Sequence, residues 1–303
     1  PRRAARDTLR NPAAARDVAG PVRTSAASPL ALVALVGVLS LPLWLLGAVT
    51  GAQLSPDLPL AALVFVTPGI AALLLVWRQR GAAGAAALLR RLVQVRGGGS
   101  PAWPLAAALL LAPALFALTY VLLGDAGPAV NLAPATVATA LAAYLVAAAA
   151  EELGWTAFAT EPLQRRLPGL AAALLLGGVM VAFHVVPLLE HGRSAAWIGW
   201  WALSTVAARV LTVWLFNAGG GSVVAAVLFH AAMNTANLGP VVDFGPAGFP
   251  LAAQRLSALL LAAAAAAVTA AWGPGDLGRS GDRRRRAQST RTMRGTSPAG
   301  ISR

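Results

Sequence analysis

Apolar residues in this chain come in long unbroken runs, not in the period-2 or period-3.6 alternation of a half-buried strand or a surface helix. A helix crosses a bilayer core with about 20 apolar residues. That ruler gives eight spans, at about 29–50, 60–77, 102–123, 134–158, 169–189, 196–217, 220–237 and 249–272. Backbone polar groups in hydrocarbon must pair within their own segment, so such runs predict helices. The expected fold is all-α: a polytopic membrane bundle of about eight transmembrane helices over 29–272, between a basic tail at 1–28 and another at 273–303.

Composition supports that class, with 57% hydrophobic and only 12% charged residues in 303. All 24 basic residues are arginine, and the net charge of +13 would suit nucleic acid if it were spread over a groove-facing surface. Instead the arginines gather in the tails and in connections beside apolar segments, which favours anionic lipid head groups as partners and no nucleic acid. The chain holds no cysteine, which excludes disulfides, thiolate metal sites and a cysteine nucleophile. The tails, rich in Arg, Ala, Gly and Ser, read as disordered. Residues 82–95 read equally as a short interfacial helix with its arginines toward phosphate or as a solvated connector. The first span is expected to be a retained signal anchor, and because the chain begins at Pro1 an upstream start is expected.

Orientation follows from arginine asymmetry, since basic connections stay in the cytoplasm. The N-terminal tail, the second connection (Arg78, Arg80, Arg90, Arg91, Arg96), the fourth (Arg165, Arg166) and the C-terminal tail all fall on one side of an eight-span bundle. The opposite connections carry Asp57, Asp125, Glu190 and Asp243 against Arg193. Both termini are therefore expected in the cytoplasm, with the protein in the cell membrane.

Against this background a few polar residues stand out, because ionisable groups at membrane depth are costly and mark function by default. Glu151 and Glu152 are adjacent, so they lie about 100° apart on a helix and cannot both face one point. One is expected to act as catalyst or ligand and the other as its orienting partner. If the fourth helix continues past Phe158 toward Arg165, Glu151 lies about 14 residues, roughly 21 Å, from that end, a depth shared with His184 and His230. His230 and Asn234 are four apart and share one helix face. His191 falls in an outer connection and reads as solvated. Arg209, in the sixth span near Thr205 and Thr212, is a candidate counter-charge for a carboxylate or a cation snorkelling to the cytoplasmic face.

Such a set can hydrolyse peptides. A carboxylate and a neutral imidazole can activate water as general bases, while a second imidazole and an amide can donate to the oxyanion. A serine route is poorly served, because Ser222 and His230 lie eight residues apart on one helix. H-E-x-x-H is absent, and the aspartates lie in tails or loops. Zinc held by Glu151, His184 and His230 remains possible on ligand type.

Glu151-Glu152-Leu-Gly-Trp-Thr-Ala-Phe158 with Pro162-Leu-Gln-Arg-Arg166 resembles the first motif of the CPBP family, the CAAX-processing and bacteriocin-processing (Abi) intramembrane endopeptidases. Met180-Val-Ala-Phe-His184-Val-Val-Pro187 is similar to its F-x-x-x-H motif. Val210–Asn217, Gly221-Ser222 and His230-Ala-Ala-Met-Asn234 resemble its third region, with H-x-x-x-N intact. The resemblance covers about 134–238. It implies that Glu151 and His184 activate water, that His230 and Asn234 form the oxyanion hole, and that Glu152 is the supporting carboxylate. The substrate implied is a membrane-associated or hydrophobic peptide, cut near the cytoplasmic side, prenylated in one branch of the family and a bacteriocin leader in another.

Two positions depart from the family pattern. Thr156 stands where E-E-x-x-x-R has arginine, and Met180 replaces the phenylalanine. Threonine lacks the charge and the fork of donors that hold a carboxylate, so Arg209 or Arg165 is the candidate replacement. The alternatives are a catalytically impaired scaffold or immunity protein and, less favoured, a proton-coupled transporter, against which no repeat relating the chain's halves is visible.

Overall fold

The computed structural model describes residues 28–55, 58–95, 102–124, 127–237, 241–244 and 248–279. Eight helices follow one another: α1 (Pro29–Thr50), α2 (Thr67–Arg90), α3 (Trp103–Leu123), α4 (Pro134–Glu152), α5 (Gly169–Glu190), α6 (Ala195–Ala218), α7 (Val223–Asn237) and α8 (Leu251–Trp272). A 3₁₀ segment, Leu60–Val66, leads into α2, and a π-helical segment, Leu153–Thr160, with a short turn, Glu161–Gln164, prolongs α4. Seven of these helical stretches are long and apolar enough to cross a membrane, while α7, at 15 residues, is about 22 Å long. The chain is thus an all-α polytopic membrane protein.

Helix starts follow local chemistry. Ser28 and Ser194 cap α1 and α6 by accepting from the backbone N–H of Ala31 and Trp197. Proline occupies the first turn of α1, α2, α3 and α4, where its missing N–H costs nothing. The 82–95 region is helical to Arg90. It is set off from the first part of α2 by Gly81, whose φ of +62° breaks the helix and is open to glycine without strain. Arg91 does not turn to phosphate as an interfacial helix would have it. It is buried, donates to the Ala157 carbonyl and pairs with Glu161 at 2.6 Å, clamping the end of the α4 extension.

Two ends of the bundle are distinguishable. At one, β1 (Gln53–Ser55) pairs with β2 (Leu58–Pro59), and β3 (Ala129–Val130) pairs with β4 (Val242–Asp243), joining the α3–α4 and α7–α8 connections. At the other, the residues after α8 fold back into the bundle. The backbone N–H of Gly169 and Leu170 donate to the carbonyls of Gly275 and Pro274 at 2.9 Å, Asn217 donates to Leu277 at 3.0 Å, and the Leu277 side chain is fully buried. Residues 273–279, expected as the start of a disordered tail, are therefore packed against the bundle. Residues 273–279 lack the apolar run that marks a span, so their docking had no signature in the hydropathy pattern. The remainder of that tail and residues 1–27 lie outside the described residues.

Packing fixes the helix that carries the glutamates. A Cβ on Gly69 would lie 2.5 Å from the Ala150 carbonyl, and one on Gly154 would lie 2.5 Å from the Pro68 carbonyl. Only glycine lets α2 and α4 touch backbone to backbone on both sides of Glu151 and Glu152. On the far side, α7 packs on α3 and α4, while α6 packs on α5 and α8. Two large apolar clusters result, one around α1, α2 and the π segment and one around α3, α6 and α8, with a small third around Ala140, Val241 and Val242. The polar residues lie where the two large clusters meet.

Candidate active site

The helix does continue beyond Phe158, to Gln164, which places the glutamates deep in the bundle as the longer reading requires. Both are buried, and their side chains diverge as adjacent helix positions must. Glu152, with no exposed surface, turns toward α6 and α7; Glu151 faces a cavity.

Glu152 is saturated with donors. Arg209 on α6, 3% exposed, gives it two parallel hydrogen bonds, Nη1 to Oε2 and Nη2 to Oε1, each 2.8 Å. Such a fork is the strongest pairing available to a carboxylate. The Thr156 hydroxyl donates to Oε2 and lies 3.2 Å from Arg209 Nη1, and His230 Nδ1 lies 2.9 Å from Oε1. The missing family arginine is therefore answered from a different helix: Arg209 brings the guanidinium and Thr156 fills the space beside it. Arg165, the other candidate, is exposed at the end of the α4 extension. Met180 joins the same cluster, its sulfur 2.7 Å from Arg209 Nη2. Gly177 one turn earlier lets α6 come close, since a Cβ there would meet Val206 Cα at 3.0 Å and Arg209 Cβ at 3.4 Å.

The π segment is the local oddity that surrounds Thr156. Such segments are rare in helices and gather at functional sites. Here the widened turn is braced by Thr160, whose hydroxyl donates to the Trp155 carbonyl five residues back at 2.9 Å. Hydropathy carries no signal for it.

His230 lies between the two glutamates. Its Nδ1 bonds Glu152 and its Nε2 is 3.8 Å from Glu151 Oε1. A carboxylate without a proton only accepts, so the proton of that first bond resides on Nδ1. Arg209, Glu152, His230 and Glu151 thus form a row in which basic and acidic groups alternate. His184 on α5 has its tautomer fixed in the same way: Nδ1 lies 2.8 Å from the Met180 carbonyl, which can only accept, so Nε2 of the neutral ring holds the lone pair. The ring lies 5.4 Å from that of Trp201.

Glu151, His184, His230 and Asn234 all line one cavity of about 320 Å³, so the structure brings together each residue the sequence had selected, with Glu152 behind it. Its apolar wall comes from Phe116, Trp197, Trp201, Met233 and Leu261. His191, expected to be solvated, is only half exposed and borders the same cavity. Residues missed from sequence are Trp197, Trp201, Ser204 and Gln254; the last two are joined by a 3.1 Å hydrogen bond within the buried part of the wall. The cluster of Gln254, Arg255 and Ser257 in the mainly apolar eighth span was the available signal for that pair. Among the described residues no three His, Asp or Glu side chains are grouped as a metal site.

Residues 133–236 match the family model of Rce1-like type II CAAX prenyl endopeptidases, and that segment holds every residue of the row together with His184 and Asn234. That segment is 104 of the 303 residues, and over it the chain is similar to this family. Comparison with curated proteins gives no match. The match falls on the stretch that carries the motifs read from sequence and supports, as the general kind of activity, an intramembrane endopeptidase of the CAAX type.

Proposed function

We propose that this chain hydrolyses a peptide bond of a membrane-associated or hydrophobic peptide with water activated by Glu151 and His184. The observation that carries the reading is the shared cavity of Glu151, His184, His230 and Asn234, backed by the Arg209–Glu152–His230 row. The water oxygen attacks the scissile carbonyl carbon while one of its protons passes to Glu151. His184 Nε2 accepts a hydrogen bond from the other and orients the lone pair. The carbonyl oxygen becomes an oxyanion held by His230 Nε2–H and the Asn234 amide. Because Nδ1 of His230 already donates to Glu152, donation from Nε2 uses the doubly protonated ring, whose charge is flanked by Glu152 and Glu151. The C–N bond then breaks and the proton on Glu151 is delivered to the departing amine.

Substitution by Thr at position 156 favours an impaired scaffold only if Glu152 is left without a cation, and Arg209 supplies one. The deciding experiment is cleavage of a quenched peptide library by the purified protein in detergent, wild type against Glu151→Gln and His230→Ala. Loss of cleavage in both variants is expected; cleavage that survives both removes the mechanism.

A further inference from the structure

The cavity has a direction. From the level of Glu151, Met180 and His230 it runs past Met233 and Asn237 to Pro59, His191 and Phe249, all at the end of the bundle that carries the two strand pairs. No residue of the opposite end lines it. There the way is closed by residues 273–279, whose backbone pairs with Gly169 and Leu170, and by Arg279, which donates to the Gln164 carbonyl at 3.2 Å. The arginines divide along the same axis. The tails and the connections beside the closed end carry all but three of the 24, and those three are Arg209 in the site and Arg193 and Arg255 toward the open end. Arg255 is exposed and stacks over Trp200 at 5.5 Å. Arginine-rich connections remain cytoplasmic, so the closed end is the cytoplasmic one and the open end faces away from it.

We infer that substrate reaches the site from the non-cytoplasmic face, and that the peptides cleaved are exported or membrane-emergent chains rather than cytoplasmic prenylated proteins. This reverses the cytoplasmic-side cleavage expected from the family resemblance, and it rests on the peptidase reading above only for what happens once a peptide arrives. A cavity lined by Phe116, Trp197, Trp201 and Met233 suits an apolar segment beside the scissile bond.

The absence of cysteine makes access measurable, because each introduced thiol is the only one in the chain. Leu132→Cys marks the open end, where Leu132 is 72% exposed; Arg166→Cys marks the closed end; Met233→Cys reports the cavity. Spheroplasts bearing the full chain are treated with a membrane-impermeant maleimide, and separately with an impermeant quenched peptide. Leu132→Cys and Met233→Cys are expected to label from outside, Arg166→Cys only after permeabilisation, and the external peptide to be cut by wild type but not by Glu151→Gln. Labelling of Arg166→Cys from outside, or of Met233→Cys only after permeabilisation, overturns the inference. If Met233→Cys fails to fold, the two end markers and the external peptide decide. Purified enzyme that cuts in detergent while spheroplasts leave the external peptide intact sinks the access claim and spares the peptidase. External labelling of Met233→Cys with no cleavage in detergent does the reverse.

Discussion

Moving the guanidinium tests how Glu152 is held. In Arg209→Thr the carboxylate loses both 2.8 Å charge-assisted bonds and keeps only the Thr156 hydroxyl and His230 Nδ1, with no exposed surface through which water could compensate. Removing one partner of a buried ion pair costs about 3–5 kcal/mol, because the remaining charge is stranded. At roughly 2–4 °C per kcal/mol for a domain of this size, the melting temperature should fall on the order of 10 °C. His230 shares Oε1 with Arg209 Nη2, so it shifts with the carboxylate, and a misplacement of about 1 Å can cost about 100-fold in rate.

The complementary variant is Arg209→Thr/Thr156→Arg, which returns the cation to the position four residues after Glu152 and leaves the small hydroxyl residue on α6. Thr156 has no exposed surface, so Thr156→Arg alone places two guanidinium groups in a space built for one and should destabilise by about 1–3 kcal/mol or more from overpacking. Combined with Arg209→Thr, it should regain stability and cleavage relative to Arg209→Thr. Thermal melting in detergent, followed by tryptophan fluorescence, and turnover of a quenched peptide are the measurements. If Arg209→Thr melts and cleaves like wild type, or the swap is worse than either single change, the idea that Arg209 substitutes for the family arginine is refuted.

Glu151→Gln should leave the melting temperature close to wild type and lower kcat by about 10²–10⁴, as loss of a general base does; a large stability loss would point instead to a structural carboxylate. Asn234→Ala should lower kcat by about 10²–10³ with KM little changed if it donates to the oxyanion, so a KM effect alone would reassign it to substrate binding. Gly154→Ala should destabilise by roughly 1–3 kcal/mol, because its Cβ would meet the Pro68 carbonyl at 2.5 Å and part α2 from α4; unchanged melting would show that the close approach is not needed. Hydrolysis is expected to persist in 1,10-phenanthroline, and its loss with recovery on adding zinc would move Glu151, His184 and His230 to a metal site.

Much of the fold was legible because hydrocarbon leaves a chain few options. Eight apolar runs predict eight helices, and the spans at 29–50, 102–123 and 169–189 lie within a residue of α1, α3 and α5. The misses arise where length or polarity departs from a simple run. Span two continues past the kink at Gly81 to Arg90, and span four reaches Gln164 through the π segment. At the site, costly polar residues at similar depth singled out Glu151, Glu152, His184, His230 and Asn234 as candidates, which the structure gathers in one place, and Arg209 was a candidate because an arginine in an apolar run needs an anion. What spacing could not show is which glutamate Arg209 meets or which imidazole nitrogen faces which carboxylate, since both depend on how α4, α6 and α7 are set against one another.

That dependence has a consequence for how the site is assembled. An arginine four residues after Glu152 could approach it within a single helix, through an (i, i+4) contact that exists as soon as the helix does. In this chain the cation arrives on α6, held close by Gly177, and the imidazole arrives on α7. Glu152 consequently has no cation until α6 docks against the α4 stretch, and its imidazole partner comes only with α7, so the row is complete only when all three helices are in place. Stranded charge in hydrocarbon costs several kcal/mol, so partly docked states are disfavoured and the row acts as a check on correct packing. Thr156 fits this arrangement: a side chain small enough to leave room for a guanidinium from outside the helix, yet with a hydroxyl to fill the carboxylate's remaining site.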